Sequence, residues 1–538
     1  MHLKAPYLED TPTAKQLVVK GAPFLMRPAE LQNSSMSSAD FMKGVWPKLV
    51  QANINTVLGC VAWEQIEPSE GTFVFDDLDR ILQDARSHGL HLILLWFGSF
   101  KNGGLQMTDT LSIFHEESAA ADAQAFQRLM QHLKEVDQEH STVIMVQVEN
   151  EVGLLGDSRD RGSAANERFC SPVPSALMNV LKPMANNFPD TIQRHLRLFN
   201  ENPAAENRSW EAVLGPSQQT DELFMAYHYA LYLEHIASAG KAAYPIPSFT
   251  NVWQNLAGDD GDQTIDLPVV VGGGGHPGDY PSGGAVAHVL DIWRAFAPSL
   301  DLIAPDIYLN DYETLCAAYF RPGNPLFIPE QRRDEYGARR IWAAYGRFYA
   351  LGASPFGIDT LGPLGENPFT KHFGLLAKVS SHVLEAQRVP GTMVGFFFDE
   401  FTIPDTSPPV IATMGGWRLV IERAFVFGKP GPGFGLVIQK GPARFLLVGE
   451  GFHVRFESLK SNACFTGILQ FTEKEVVNET TGEMRSVRML NGDETRSGKL
   501  AIMPGEDPDY GSFPICVTIP AGTRIAECEV YALEDDGA

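Results

Sequence analysis

The chain contains 538 residues, of which 66 are acidic and 42 basic, and its formal net charge is -24. This charge argues against nucleic acid and anionic membranes as partners, because both would repel an acidic protein. The chain is longer than one domain usually is, so we expect a large domain with an appendage. No apolar run approaches the ~18 residues that a membrane span needs.

Six cysteines are scattered along the chain without the CxxC or Cys/His spacing of a zinc site. We expect no metal and no cofactor, and mostly free thiols, although a bridge from Cys464 to Cys516 or Cys528 stays open for an exported protein. Residues 1–21 lack the continuous apolar segment of a signal peptide. The compartment is left open: cytoplasmic as the sequence stands, periplasmic or secreted if a leader has been removed.

The first elements indicate a parallel sheet. Residues 15–32 predict a hairpin with its turn at Gly21, followed by a first barrel strand, and helical periodicity follows from Trp46 to Ala52. Two apolar strands then flank an amphipathic helix from about Leu78 to His88. Strand, helix and strand in this order form a βαβ unit.

Two segments of this region carry candidate functional residues. WEQIEPSEGTFVF runs from Trp63 to Phe75 and joins a strand end to a Pro-directed turn and a Gly break. After a predicted helix at residues 122–138, VIMVQVENEVG occupies residues 143–153. Its apolar run ends in Asn150 and Glu151, which predicts a buried parallel strand that delivers one carboxyl group to the open end of a barrel. Glu151 is therefore the candidate general acid.

Both segments resemble motifs of known enzymes. VQVENE is similar to the acid/base signature of glycoside hydrolase families 35 and 42, whose best-known members are retaining β-galactosidases, and residues 63–75 resemble their WxxxEPxxGxYxF motif. The resemblance implies a (β/α)8 TIM barrel and a second carboxylate opposite Glu151. It also implies that Asn150 hydrogen-bonds the sugar 2-hydroxyl. Residues 94–104 differ from the family 35 segment that helps to hold galactose, so the reaction is implied more strongly than the sugar.

The remaining barrel elements follow in order. A polar connection at residues 153–174 is expected to shape the pocket, and a Gly-rich loop at 269–284 lacks the patterns of a phosphate site. The other predicted elements are helices at about 174–188, 222–240 and 339–351, and strands at 244–254, 301–311, 325–331 and 354–362.

Glu330 ends the seventh strand, in PLFIPEQ, and is the candidate nucleophile. Strands four and seven lie across a barrel mouth from each other, so Glu151 and Glu330 could face each other at about 5 to 5.5 Å, as retaining hydrolysis requires. Polar and aromatic residues at or near strand ends are the candidate substrate contacts: Asn150, Trp63, Glu67, Trp96, Asn251, Trp253, Tyr308 and Arg332. Arg332 could also keep Glu330 ionised.

After residue 385 the pattern changes to short alternating runs between Gly, Pro and Asn turns. We therefore expect a catalytic (β/α)8 barrel at residues 1–385 and an antiparallel β-sandwich at 386–538, which we favour as a packing module over a lectin-like one.

Taken with the resemblance, the sequence predicts a retaining exo-glycoside hydrolase that acts on an oligosaccharide or polysaccharide. A β-galactosidase is the first hypothesis. A β-glucosidase, an α-L-arabinopyranosidase, an endo-glycanase and a non-catalytic carbohydrate-binding protein are the alternatives, and a homo-oligomer is left open.

Overall fold

The computed structural model describes residues 4–99, 112–184, 190–201, 208–256, 274–360, 362, 367–402, 407–424, 431–505, 518 and 521–535. An antiparallel sheet comes first, with strands β1 (Tyr7–Asp10), β2 (Lys15–Val19) and β3 (Ala22–Pro23). The turn between β2 and β3 lies at Lys20 and Gly21, whose φ angles are 51° and 82°. The hairpin predicted with its turn at Gly21 is confirmed.

Eight parallel strands form the barrel. They are β4 (Pro28–Glu30), β5 (Thr56–Ala62), β6 (His91–Phe97), β7 (Val143–Val148), β8 (Ser248–Trp253), β9 (Leu302–Asp306), β10 (Ile328–Gln331) and β11 (Ala353–Pro355). Strands β4 to β9 pair consecutively, a parallel bridge joins Ile307 after β9 to Gln331 of β10, and β10 pairs with β11. Strand β11 contacts β4, which completes the ring. The (β/α)8 barrel predicted from the alternation of strands and helices is confirmed.

Both faces of the barrel strands are buried, which explains their nearly continuous apolar sequences. In β6, Ile93, Leu95 and Phe97 belong to the core inside the barrel. The alternate residues Leu94 and Trp96 belong to the core between the barrel and its helices.

The helices of the described ranges surround this barrel. They are α1 (Ala39–Met42), α2 (Trp46–Gln51), α3 (Trp63–Ile66), α4 (Asp76–Ser87), α5 (Glu116–Asp137), α6 (Ser163–Cys170), α7 (Ser175–Leu181), α8 (Asp190–Glu201), α9 (Trp210–Leu214), α10 (Gln218–Ala243), α11 (Leu290–Phe296), α12 (Tyr312–Tyr319), α13 (Glu335–Arg347) and α14 (Pro368–Ala386). None of them combines the length and the apolar character that crossing a bilayer would require.

Helix boundaries differ from the sequence prediction where a capping residue decides them. The helix predicted at 339–351 is α13, and it begins earlier because the side chain of Asp334 accepts a hydrogen bond from the Gly337 backbone N–H. It ends at Arg347, before Tyr349, whose φ angle is 51°. Helix α10 likewise starts at Gln218, after the capping Ser217, rather than at 222.

The C-terminal region is a sandwich of two antiparallel sheets, as predicted. Its strands are β12 (Met393–Phe398), β13 (Val410–Met414), β14 (Trp417–Arg423), β15 (Gly433–Gly441), β16 (Arg444–Glu450), β17 (Phe452–Ser458), β18 (Ala463–Asn478), β19 (Glu483–Met489), β20 (Ala501–Met503) and β21 (Ile525–Glu534). One sheet has the order β12-β15-β16-β21-β18-β19 and the other β13-β14-β17-β20. One of the alternating runs after residue 385, at 515–520, lies almost entirely outside the described residues.

The positions of the cysteines in the sandwich test one of the two disulfides that the sequence left open, Cys464 to Cys528. Cys464 and Cys528 are both free thiols, and Cys516 lies outside the described residues. Cys528 lies opposite Phe471 in the pairing of β18 with β21, whereas Cys464 is near Leu533 at the other end of the same two strands. The Cys464 to Cys528 pairing is therefore wrong.

The sandwich packs directly on α13, the helix that follows barrel strand β10. A Cβ on Gly346 would lie 2.6 Å from the Cα of Gly395 in β12, so two glycines allow the backbones to approach closely. Arg340, 5% exposed, donates to both carboxylate oxygens of Asp399 at 2.8 and 2.7 Å. Arg339 donates to Glu400 at 2.8 Å. The predicted boundary at residue 386 stays a prediction.

We expect Asp399→Asn to destabilise this junction, because it removes the carboxylate that neutralises buried Arg340. Loss of one partner of a buried pair costs about 3–5 kcal/mol, and the partial exposure of Asp399 reduces this to roughly 2–4 kcal/mol. Glu313→Gln is the matched control, since its pair with Arg347 is exposed and worth about 1 kcal/mol or less. Calorimetry should show a clearly larger fall in Tm for Asp399→Asn. Equal effects of the two variants would contradict a stabilising role of the Arg340–Asp399 pair.

The same variant has an expected pH dependence. Burial would raise the pKa of Asp399, but Arg340 and Arg339 hold it below the usual range. The depressed pKa means that this carboxylate stabilises the fold above the pKa of an unfolded Asp and stops doing so as the pH falls through the folded value. The Tm difference between wild type and Asp399→Asn should therefore shrink in acid.

Candidate active site

Three carboxyl groups meet at the C-terminal end of the barrel strands. Glu151 follows β7, Asp306 ends β9 and Glu330 lies in β10, and each has an oxygen within 4.8 Å of an oxygen of the other two. The strands of a parallel barrel all end on one face, so residues far apart in sequence converge there. The structure thus brings together Glu151 and Glu330, which the sequence predicts as a pair, and adds Asp306.

The backbone that presents Glu151 leaves the strand conformation. Glu149 and Glu151 have φ angles of 60° and 46°, in the left-handed region that non-glycine residues adopt at a cost of about 1–3 kcal/mol each. Side chains hold this segment in place. Ser99 N–H donates to Glu149 Oε1 at 2.8 Å, and Gln147 Nε2 donates to the Glu149 carbonyl at 3.0 Å. These hydrogen bonds therefore hold the segment that carries Glu151 in its strained backbone conformation.

The side chain of Asn251 forms hydrogen bonds with the groups of this cluster. Its Nδ2 donates to Asp306 Oδ2 at 2.9 Å, to Glu330 Oε1 at 3.2 Å and to Asn150 Oδ1 at 3.2 Å. Its Oδ1 accepts the Glu151 backbone N–H at 2.9 Å. Asn251 is 2% exposed. The sequence predicts that Asn251 contacts substrate. In the structure its side chain is buried and fixes the positions of its hydrogen-bond partners.

Tyr308 orients Glu330 directly. Its hydroxyl donates to Glu330 Oε2 at 2.6 Å, while Asn251 binds the other carboxylate oxygen. The pKa of Tyr308 is raised by burial and then by the charges of Glu330 and Asp306, so the phenol keeps its proton and remains a donor. Its ring is partly exposed, as is Trp253, which shares a strand face with Asn251 at the end of β8. Both rings lie where a bound ligand would meet them.

Glu67 and Trp63 form a local structure after β5. Glu67 accepts from Trp63 Nε1 at 2.6 Å with one carboxylate oxygen and from Gly71 N–H at 2.7 Å with the other. Both oxygens therefore bind the turn of the WEQIEPSEG segment. Trp63 is 5% exposed and packs near Trp96, with 6.3 Å between ring centroids. The structure uses this motif to shape a loop at the barrel mouth.

Two other predicted contacts are not brought to the carboxyl groups. Trp96 faces the helices because it alternates with the inward residues of β6, and its indole N–H donates to Asp122 at 2.8 Å. Arg332 pairs with Asp334 at 2.5 Å and lies over the Tyr336 ring, with 4.2 Å to the centroid. Its guanidinium is thus engaged away from Glu330. A substrate contact at either residue stays a prediction.

Asp306 is the residue whose importance the sequence did not reveal. It is 2% exposed, and its pKa is raised well above the usual range by burial first, then by the charges of Glu330, Glu151 and Glu30. Three carboxyl oxygens at this spacing could coordinate a divalent cation or share protons. Coordination of a hard cation requires deprotonated carboxyl groups, so the raised pKa of Asp306 favours the sharing of protons.

Two parts of the chain match family models. Residues 38–96 match the glycoside hydrolase family 42 model, described as beta-galactosidase, and residues 369–502 match a domain of unknown function, DUF5597. The first segment includes Trp63 and Glu67, so the resemblance inferred from the sequence is confirmed there. The second runs from α14 into the sandwich. None of the curated proteins compared with the sequence matches it.

Solved glycosidase structures resemble the chain at low identity. The β-galactosidase from Bacillus circulans sp. alkalophilus has a TM-score of 0.43 and 13% identity, with 67% of this chain and 57% of that chain covered. For the β-galactosidase from Rahnella sp. R3 the values are 0.41, 14%, 66% and 56%. For the β-mannanase from the blue mussel Mytilus edulis they are 0.40, 12%, 70% and 96%. The chain thus spans little more than half of the two β-galactosidases, and these identities carry no information on substrate.

We expect Glu67→Gln to lower stability rather than ligand affinity. Gln keeps one acceptor oxygen but turns its amide N–H2 toward either Trp63 or Gly71, so one of the two hydrogen bonds is lost at a cost of roughly 1–3 kcal/mol. Calorimetry should show a lower Tm, and calorimetric titration an unchanged Kd for ligand. A raised Kd with an unchanged Tm would instead identify Glu67 as a direct contact.

Proposed function

We propose that the chain is a retaining glycoside hydrolase with Glu330 as nucleophile and Glu151 as acid/base. The observation that carries this proposal is the approach of their carboxyl oxygens to within 4.8 Å at the mouth of a (β/α)8 barrel. Retaining enzymes hold their two carboxyl groups about 5–5.5 Å apart, whereas inverting enzymes leave about 6.5–9.5 Å for a water molecule. The shorter separation favours direct attack by Glu330 on the sugar.

The hydrogen bonds of Glu330 suit a nucleophile. Tyr308 and Asn251 each donate to one carboxylate oxygen, which favours the ionised form and fixes the direction of attack. In the first step a Glu330 oxygen bonds to the anomeric carbon, the glycosidic bond breaks, and Glu151 gives its proton to the leaving oxygen. In the second step Glu151 takes a proton from water, the water oxygen bonds to the anomeric carbon, and the Glu330 ester bond breaks.

Substrate contacts follow from what remains accessible. Asn150 donates to Glu151 Oε2 at 3.3 Å and lies beside the acid, where the sugar 2-hydroxyl would bind. Trp253 and Tyr308 offer partly exposed rings for the C–H face of a pyranose. The net charge of -24 is no obstacle to a neutral sugar.

For the sugar we propose a terminal non-reducing β-D-galactose. The family 42 match at residues 38–96 supports this choice. A β-glucosidase, an α-L-arabinopyranosidase and an endo-glycanase are the alternatives of the same reaction type. A non-catalytic carbohydrate-binding barrel is the alternative of a different class, and two facing carboxyl groups argue against it.

A panel of nitrophenyl glycosides tests the reaction and the sugar together. We expect release of nitrophenol from the β-D-galactoside, with the α-anomer unaffected, because Glu330 attacks from one face only. Preferred cleavage of another β-glycoside would keep the reaction and correct the sugar. Sugar binding without turnover of any glycoside would leave only the carbohydrate-binding alternative.

Trapping should identify the nucleophile. An activated 2-deoxy-2-fluoro-glycoside forms the glycosyl-enzyme intermediate faster than it is hydrolysed, because the fluorine destabilises the oxocarbenium-like transition state and the good leaving group compensates only in the first step. Peptide mapping should locate the label on Glu330, and Glu330→Gln with an unchanged Tm should stay unlabelled. A label on Asp306 or Glu151 would contradict the assignment.

A further inference from the structure

In the part of the chain that the structure describes, the donor to Asp306 is the amide of Asn251, whereas a buried carboxylate needs several donors. Its Oδ2 accepts from Asn251 Nδ2 at 2.9 Å. Its Oδ1 is buried, and within the described ranges no protein donor reaches it. The carboxyl group of Glu151 is a neighbour within hydrogen-bonding reach of Asp306. An ionised oxygen left there without a donor would bear the full cost of its desolvation.

The groups that act most strongly on Asp306 are all acidic. Glu330 from β10, Glu151 from the end of β7 and Glu30 from β4 each disfavour a negative charge on it, and burial acts in the same direction. Tyr308, on its own strand end, is a neutral phenol. With no cation among these groups, a single added proton relieves both the repulsion and the missing hydrogen bond.

We propose that Asp306 is a third carboxyl group of the site that stays uncharged at neutral pH, with its proton on Oδ1 donated to Glu151. Its charge state does not depend on the proposed function. Its role does, because only in a glycosidase is Glu151 the acid/base.

The proton gives Asp306 a positioning role. When Glu151 is in its acid form, one of its oxygens accepts from Asp306 and the other carries the proton for the leaving group. When Glu151 has released that proton, the same hydrogen bond stabilises the new carboxylate. An ionised Asp306 would do the opposite, since it would repel the charge that the first step creates on Glu151. A neutral donor therefore assists the step in which the glycosidic bond breaks.

Thermal unfolding tests the charge state without any activity measurement. The raised pKa means that the stability Asp306 contributes is fully present below the pKa of an unfolded Asp, about 3.9, and is lost as the pH rises toward the folded value. Asn mimics the protonated form and has no such dependence. The Tm of Asp306→Asn minus that of wild type should therefore increase from acid to neutral pH. A constant or decreasing difference would overturn the proposal.

Asp137→Asn is the matched control for this measurement. Asp137 is also fully buried, but its carboxylate accepts from Arg86 Nη2 at 2.9 Å and from the Val143 N–H at 2.8 Å. Its replacement should lower Tm, and the loss should not turn into a gain at higher pH. The two variants thus separate a buried aspartate with acidic neighbours from one that is paired with a basic group.

The pH profile of kcat/KM tests the positioning role. Asn at position 306 keeps a donor toward Glu151, so Asp306→Asn should keep the basic limb of the profile where wild type has it. Asp306→Leu removes the donor at similar volume, so its basic limb should differ from the limb that wild type and Asp306→Asn share. A basic limb about one pH unit lower in Asp306→Asn would show that a negative charge was removed and would overturn the proposal.

Infrared spectroscopy covers the case in which the variants at position 306 do not fold. Glu151→Gln removes the other carboxyl group that the proposed mechanism protonates. Its spectrum at neutral pH should still contain the carbonyl band of a protonated carboxylic acid. Absence of this band would overturn the proposal, even if the panel of glycosides had already confirmed turnover. Presence of the band in Glu151→Gln, together with no turnover of any glycoside by the wild-type chain, would support the charge state and contradict the proposed function alone.

Discussion

The side chain of Asn251 is the constraint on which the site depends. A single amide at the end of β8 contacts groups that follow β7, end β9 and lie in β10, at distances between 2.9 and 3.2 Å. Three carboxyl groups this close would repel one another if all were ionised. Two N–H hydrogens shared among three acceptors, and one carbonyl that holds the Glu151 backbone, set both the spacing and the orientation. Neither Asp nor Leu at this position could supply donors and acceptor together.

The sandwich is connected to the same site through helix α13. Gln331, next to Glu330, binds the Gly337 carbonyl at the start of α13 and the hydroxyl of Tyr312. Helix α13 is in turn fixed to the segment after β12 by the ion pairs of Arg339 with Glu400 and of Arg340 with Asp399. A continuous set of packed and hydrogen-bonded groups thus runs from the C-terminal sheets to β10, the strand of Glu330. This arrangement agrees with the packing role that we favour for the sandwich.

Sequence patterns predict the fold and the location of Glu151 and Glu330 because both depend on local signals. An apolar run that ends in a carboxylate indicates a strand end, and parallel strands share one open face. They do not predict which way a side chain points when a strand is apolar on both faces, as in HLILLWF, so the outward direction of Trp96 had no signal. The role of Asp306 depends on four segments of the chain, and no local pattern encodes such a cluster.

The strained backbone around Asn150 explains why Glu149 and Glu151, two residues apart, lie in different environments. In a regular strand, residues two apart point to the same face, so Glu149 and Glu151 would share their surroundings. Instead, Glu149 binds the Ser99 N–H at the end of β6, beside a buried group in which Asp122 accepts from Trp96, Ser99 and Tyr232. Glu151 faces Asp306 and Glu330.

The left-handed φ angles at both glutamates are what break the alternation. Val148 faces the helices, so strand geometry after it would turn Glu149 to the inner face of the barrel together with Glu151, and Glu149 would lose the Ser99 N–H as its donor. The cost of the two unfavourable backbone conformations is thus offset by the hydrogen bonds of Glu149 outside the barrel. Inside the barrel, the carboxyl group of Glu151 is therefore held close to that of Glu330 before any ligand binds.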